Sequence, residues 1–188
     1  MDANLRTQIE GVVALSDAEY QHVAAHFTTK KLRKHQFLVQ QNDYVTHEYF
    51  VVSGLLKSFF ANESGKDHIV QFAMENWWVT DYQAFVSQSK ALLAIDCIED
   101  VTVLCLSFED KQRLCTEMHK MEHFFRVKTT AGYVALQQRV LSFLHSDAKS
   151  RYDQLLKQYP ALSQRVSKSL LASYLGVSRE TLSRFSVD

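Results

Sequence analysis

One stretch, KSLLASYLGVSRETLSRF at residues 168–185, leaves few backbone arrangements open. A small residue, Ala172, precedes Gly176 by four positions, and apolar residues recur at 171, 175, 177, 182 and 185. This spacing predicts two short helices crossing steeply, a helix-turn-helix. Ala172 lets the two backbones approach, and Gly176 supplies the left-handed conformation that ends the first helix. Ser178 is expected to cap the second helix. Its outer face then carries Arg179, Glu180, Ser183 and Arg184, side chains suited to the edges of bases in a major groove.

The charge distribution points the same way. The 188 residues carry 21 basic and 21 acidic side chains, so the net charge is zero. From Lys149 onward, however, seven basic residues face three acidic ones, and the remainder is correspondingly acidic. A basic module follows an acidic one, and only the former needs to meet phosphate. No apolar run nears the roughly 18 residues that span a bilayer. The N-terminus lacks a basic-then-apolar secretory signal, so a cytoplasmic location is expected.

Upstream the texture changes twice. Residues 16–27 open with Ser16, Asp17 and Glu19 and read as a short helix. Short apolar and aromatic runs follow at 37–39, 49–52, 55–60, 68–72, 92–95 and 101–106, separated by turn signals at 41–43, 53–54 and 62–65. Strands at this spacing predict a β-roll or jelly roll. From Leu114 to Phe143 one apolar stripe runs through 114, 118, 121, 125, 132, 136, 140 and 143. A second, at Phe124, Val127, Ala131, Val134 and Leu141, lies on the opposite side of the same helix. One side is expected to pack on the roll and the other against a second copy, giving a homodimer through paired helices. A further helix at 147–158 is broken by Pro160. The fold class is therefore α+β: an N-terminal β-roll or jelly roll, a long dimerisation helix and a C-terminal helix-turn-helix domain, winged-helix-like. The expected divisions are a sensor domain at 1–118, the dimerisation helix at 119–145 and the DNA-binding domain at 146–188.

This order resembles the Crp/Fnr family of bacterial transcription regulators. The residues that carry the resemblance are Tyr49-Phe-Val-Val-Ser-Gly54 and Gly65-Lys-Asp-His-Ile-Val-Gln-Phe72 in the roll, Arg151, Tyr152 and Pro160 in the connector, and residues 172–184. It implies a homodimer on a two-fold symmetric duplex site, with RNA polymerase as a partner if the protein activates. It puts Arg179, Glu180 and Arg184 at base-reading positions. Ser178, Thr181 and Ser183 are placed for phosphate contact or capping.

The family's cyclic-nucleotide pocket uses a Gly-Glu pair and, about ten residues on, an Arg-Ser or Arg-Thr pair that meets the cyclic phosphate. Here Thr80 and Asp81 stand for the first pair, and Ala91 and Leu92 for the second. Asp81 and Lys90 are the only candidates for an effector contact, and Asp81 reads better as a helix N-cap. On the long helix, the polar pair expected near the base falls on Phe124 and Phe125. A cAMP response is not expected, and any effector is a different small molecule. No cofactor is implied. Cys97, Cys105 and Cys115 lack ligand spacing, and no histidine is placed as a haem ligand, so no metal site is expected.

Two other readings compete. A cupin-like metalloenzyme needs paired histidines, whereas the roll offers only His47, Glu48 and a distant His68. No nucleophile constellation stands out, and an enzyme is not expected. A ligand-sensing roll acting through protein partners, with weak DNA binding, is the other.

Overall fold

The computed structural model describes residues 3–62 and 65–185. Two helices, α1 (Ala3–Glu10) and α2 (Asp17–Ala24), lead into eight strands: β1 (Phe27–Leu32), β2 (Phe37–Val39), β3 (His47–Ser53), β4 (Leu56–Ala61), β5 (Asp67–Ala73), β6 (Trp78–Val79), β7 (Ala94–Cys97) and β8 (Val101–Ser107). Helix α3 (Tyr82–Ser87) lies between β6 and β7. The chain continues in α4 (Phe108–Glu117), α5 (His119–His145), α6 (Ala148–Gln158), α7 (Leu162–Arg165), α8 (Lys168–Leu175) and α9 (Arg179–Phe185), with no strand among the described residues of that part.

The strands form two antiparallel four-stranded sheets, ordered β1-β8-β3-β6 and β2-β7-β4-β5. Period-two alternation explains why β3 and β8 read as unbroken apolar runs. Tyr49, Val51, Val101, Val103 and Cys105 enter the core between the sheets. Phe50, Leu104 and Leu106 enter a second core, covered by α1, α2, α4 and α5. On the far side, Leu55, Phe59, Ile69, Phe72 and Ala94 share a third core with Leu155, Leu162, Val166, Leu171, Ala172, Leu175 and Leu182. The C-terminal helices thus complete their apolar core on the roll rather than on themselves.

Several sequence expectations need correction. The N-terminal helix reading captured α2 but not α1. The stretch at 27–32 is a strand although Thr28, Thr29, Lys30 and Lys31 are all exposed. It is an edge strand, paired on one side with β8, so its sequence shows no buried alternation. Strand β7 starts at Ala94 rather than 92, because the amides of Leu92 and Leu93 bond to Asp81. The turn expected at 62–65 includes residues 63 and 64, which lie outside the described residues.

The single helix expected from Leu114 is two. Met118 is extended (φ −132, ψ 100), which ends α4 and starts α5 at His119. Burial of α5 is divided along its length, not between two faces. Met121, Phe124 and Phe125 are buried, whereas from Tyr133 to Leu144 the apolar side chains of both stripes are exposed.

Candidate nucleic-acid interface

Helix α8 begins where the Ser167 hydroxyl accepts from the Leu170 amide and ends at Gly176, left-handed at φ 71. The Gly176 and Val177 amides both return to the Ala172 carbonyl, closing the turn. The Ser178 hydroxyl accepts from the Thr181 amide at 3.1 Å and opens α9. Leu182 is the buried residue of α9 and packs in the cluster that contains Leu171, Ala172 and Leu175. That anchoring decides which way the rest of the helix faces.

Arg179, Glu180 and Arg184 are exposed, as is Ser178, while Thr181 and Ser183 are half-buried. Six sequence candidates therefore share one short helix and its cap, with two guanidinium groups and a carboxylate turned outward. Their roles differ. Ser178 caps α9, and its hydroxyl meets that of Thr181 at 3.2 Å. Glu180 is held below the ordinary carboxylate range, first by its own backbone amide and then by Ser178, and it is an acceptor at neutral pH.

Other basic residues in the basic module are spent internally. Arg151 donates to the carbonyls of Ser146 (2.7 Å) and Leu175 (3.1 Å), the latter at the end of α8. Lys149 donates to the Phe185 carbonyl at the end of α9, a favourable place for a cation. Arg165 reaches away from α9 to the roll. Its guanidinium makes four hydrogen bonds of 2.6–2.9 Å, two to each of Glu75 and Glu99 on the roll. Glu75 also accepts from the Gly54 amide at 2.8 Å and is held below its ordinary range, chiefly by Arg165. The charge excess in the sequence thus overstates what this module presents to phosphate.

Arg139, from α5, donates to the carbonyls of Ile69 and Tyr174, each at 2.9 Å, and its guanidinium lies 3.5 Å from the centre of the Tyr174 ring. Tyr174 packs against Phe72, and the Ser173 hydroxyl donates to the Asp67 carbonyl. The helix pair is therefore seated on β5, latched by Arg139 and Arg165. Nothing local in the sequence identifies these two arginines, since their partners lie 66 to 90 residues away for Arg165 and 35 to 70 for Arg139.

The roll's effector candidates, Asp81 and Lys90, have different surroundings. Asp81 is 3% exposed and caps α3. One carboxylate oxygen accepts from the Ala84 amide at 3.2 Å; the other accepts from the amides of Leu92 (2.8 Å) and Leu93 (2.9 Å). Lys90 is exposed, with its ammonium 5.9 Å from the Tyr44 ring. Phe124 and Phe125 are buried against Trp78. Where the resemblance puts a phosphate-pairing arginine and serine, the structure has Ala91 and Leu92, and the neighbouring amides already hold an internal carboxylate. The Leu92 and Leu93 amides are taken by Asp81, and Ala91 and Leu92 offer no guanidinium to a phosphate.

Residues 29–118 match the model of the cyclic nucleotide-binding domain family. No curated protein matches the sequence. Among solved structures, FixK2 from Bradyrhizobium japonicum is similar at TM-score 0.75 and 18% identity, over 85% of this chain and 82% of that one. CLP, a c-di-GMP responsive global regulator of Xanthomonas campestris, is similar at TM-score 0.73 and 16% identity, over 90% and 89%. A protein of Eubacterium rectale, described as a transcriptional regulator of the crp/fnr family, is similar at TM-score 0.70 and 12% identity, over 91% and 82%. Residues 29–118 are thus similar to the cyclic nucleotide-binding domain family, and the chain as a whole shares the fold of the Crp/Fnr transcription regulators.

Proposed function

We propose that this protein is a sequence-specific, DNA-binding transcription regulator that acts as a homodimer and does not respond to cAMP. The observation that carries the reading is α9 itself: Leu182 is buried while Arg179, Glu180 and Arg184 point outward. Arginine donates two hydrogen bonds to guanine O6 and N7, and glutamate accepts from cytosine N4. Ser178, Thr181 and Ser183 serve the cap and the phosphates. The parts divide as a sensor at 1–118, a dimerisation helix at 119–145 and a DNA-binding unit at 146–188.

The second half of α5 supports the dimer. Tyr133, Leu136, Val140 and Leu144 are 65%, 52%, 51% and 77% exposed and recur at steps of three and four, the spacing of one helix face. A second copy covers it most simply and sets the two reading helices one duplex turn apart. Such a dimer works in the cytoplasm on a two-fold symmetric duplex, beside RNA polymerase where it activates. Any effector acts by favouring one arrangement of the helices over another, and the hold of Asp81 on the Leu92 and Leu93 amides supports its being something other than cAMP.

The test is a selection of bound duplexes followed by affinity measurements on the Arg184→Ala variant. A base-contacting arginine contributes about 1–3 kcal/mol of discrimination, so the selected site should lose about tenfold or more in affinity. Preference should relax at one base pair per half-site. Equal losses on selected and random DNA would show that Arg184 meets only phosphate.

A further inference from the structure

Away from the reading helix, two histidines and a glutamate converge on the opposite side of the roll. His22 lies in the last turn of α2, His26 follows one turn later, and Glu117 is the last residue of α4. One donor atom from each lies within 4.8 Å of the others. His22 Nε2 is 2.9 Å from a Glu117 carboxylate oxygen, and the two imidazoles meet edge to face with centroids 5.0 Å apart.

His26 is oriented for ligation. Its Nδ1 is 3.0 Å from the His22 carbonyl. A carbonyl only accepts, so the proton sits on Nδ1 and the neutral ring carries its lone pair on Nε2. Fixing the tautomer through the second nitrogen is what a metal-binding histidine ordinarily requires. His22 and Glu117 are 47% and 44% exposed. Solvent therefore has access to the cluster, and an ion can enter without any rearrangement of the core.

We propose that His22, His26 and Glu117 form a binding site for a divalent first-row transition ion of the zinc type, with water completing the coordination. The donor set selects the ion. Two imidazoles and one carboxylate suit zinc and its neighbours, whereas calcium and magnesium take oxygen ligands. Ligand bonds of about 2.0–2.2 Å bring donor atoms within about 4 Å of one another. The present 4.8 Å limit closes by small rotations of exposed side chains. The 2.9 Å His22–Glu117 contact is replaced by two bonds to the ion, with His22 neutral. A bound ion ties α2 to the α4–α5 junction at Met118, at the base of the long helix.

Isothermal titration of the chelator-stripped full chain with Zn2+ alone tests the site. One equivalent per chain should bind, and His26→Gln and Glu117→Gln should each weaken binding about tenfold or more, the scale seen even when a supporting partner of a ligand is removed. Both substitutions are at solvent-accessible positions, and circular dichroism checks that the fold is kept. Co2+ gives a second readout, because nitrogen and oxygen ligands produce ligand-field bands without thiolate charge transfer. Absence of stoichiometric binding, unchanged affinity in both variants, or a thiolate band lost in Cys115→Ser would each overturn the assignment.

Discussion

Lys111→Met should cost about 3–5 kcal/mol at neutral pH, the usual penalty for stranding one member of a buried ion pair. Glu48 on β3 is 4% exposed, and one of its carboxylate oxygens accepts from Lys111 at 2.9 Å. The other has no hydrogen-bond partner among the described residues. Lys111 lies 4.6 Å from the centre of the Phe125 ring and near the rings of Tyr82 and Phe85. Burial already pushes the Glu48 carboxyl above its ordinary value, and Lys111 opposes that rise. Methionine keeps the side-chain length but removes the opposition, so the shift grows.

The sign follows from linkage. A folded-state value above the unfolded one means that the native state binds the proton more tightly. The stability this provides is complete below the ordinary carboxylate range and is lost as pH rises through the elevated folded value. Urea unfolding of Lys111→Met at about pH 5 and about pH 8 should therefore show the larger loss at the higher pH. Adding Glu48→Gln should restore most of the stability, because the stranded charge is gone. A deficit that is flat with pH and unrepaired by the second substitution would mean that Lys111 acts through packing.

Gly54→Ala should destabilise by about 3 kcal/mol, the upper end of local backbone strain. Gly54 lies between β3 and β4, where the chain passes from one sheet to the other, and its φ is +91. A Cβ there sits 2.3 Å from the Asp100 carbonyl oxygen and 3.0 Å from the Val101 Cα, both backbone atoms. The backbone must move, and with it the Gly54 amide that donates to Glu75. Glu75 in turn holds Arg165, so the disturbance reaches the seat of the C-terminal helices. Gly65→Ala separates the two causes. Its φ is +75, but a Cβ there meets nothing within 4 Å, so only the conformational cost of about 1 kcal/mol should appear. Equal losses in the two variants, read from urea midpoints, would mean that the close approach to Asp100 carries no cost.

Wherever the signal is short-range, the sequence alone is sufficient. The α8–α9 pair was legible because its determinants lie within about twenty residues: a capping serine, a left-handed glycine, a small residue at the crossing and one buried leucine. Asp81 as an N-cap and Asp147 opening α6 are local in the same way. Strands β3 and β8 announced themselves because two-sided burial demands apolar residues over most of their length.

Other features were settled by contacts between distant residues. The exposed strand β1 exists because β8 supplies its hydrogen bonds, which its own threonines and lysines do not advertise. The break at Met118 interrupts an apolar period that by itself favours one continuous helix. Arg165 counted in the basic module until the roll placed two carboxylates around it, and Arg139 carries no local signal of the Ile69 and Tyr174 carbonyls that hold it. His22 and Glu117 are separated by 95 positions, and only the packing of α2 beside α4 brings them to 2.9 Å. Side-chain identity and near-neighbour spacing govern caps, turns and helix faces, because those energies are decided within a turn or two. The seating of the α8–α9 pair, the amides claimed by Asp81 and the histidine cluster depend on which distant surfaces bury one another, and that is decided only once the whole chain is folded.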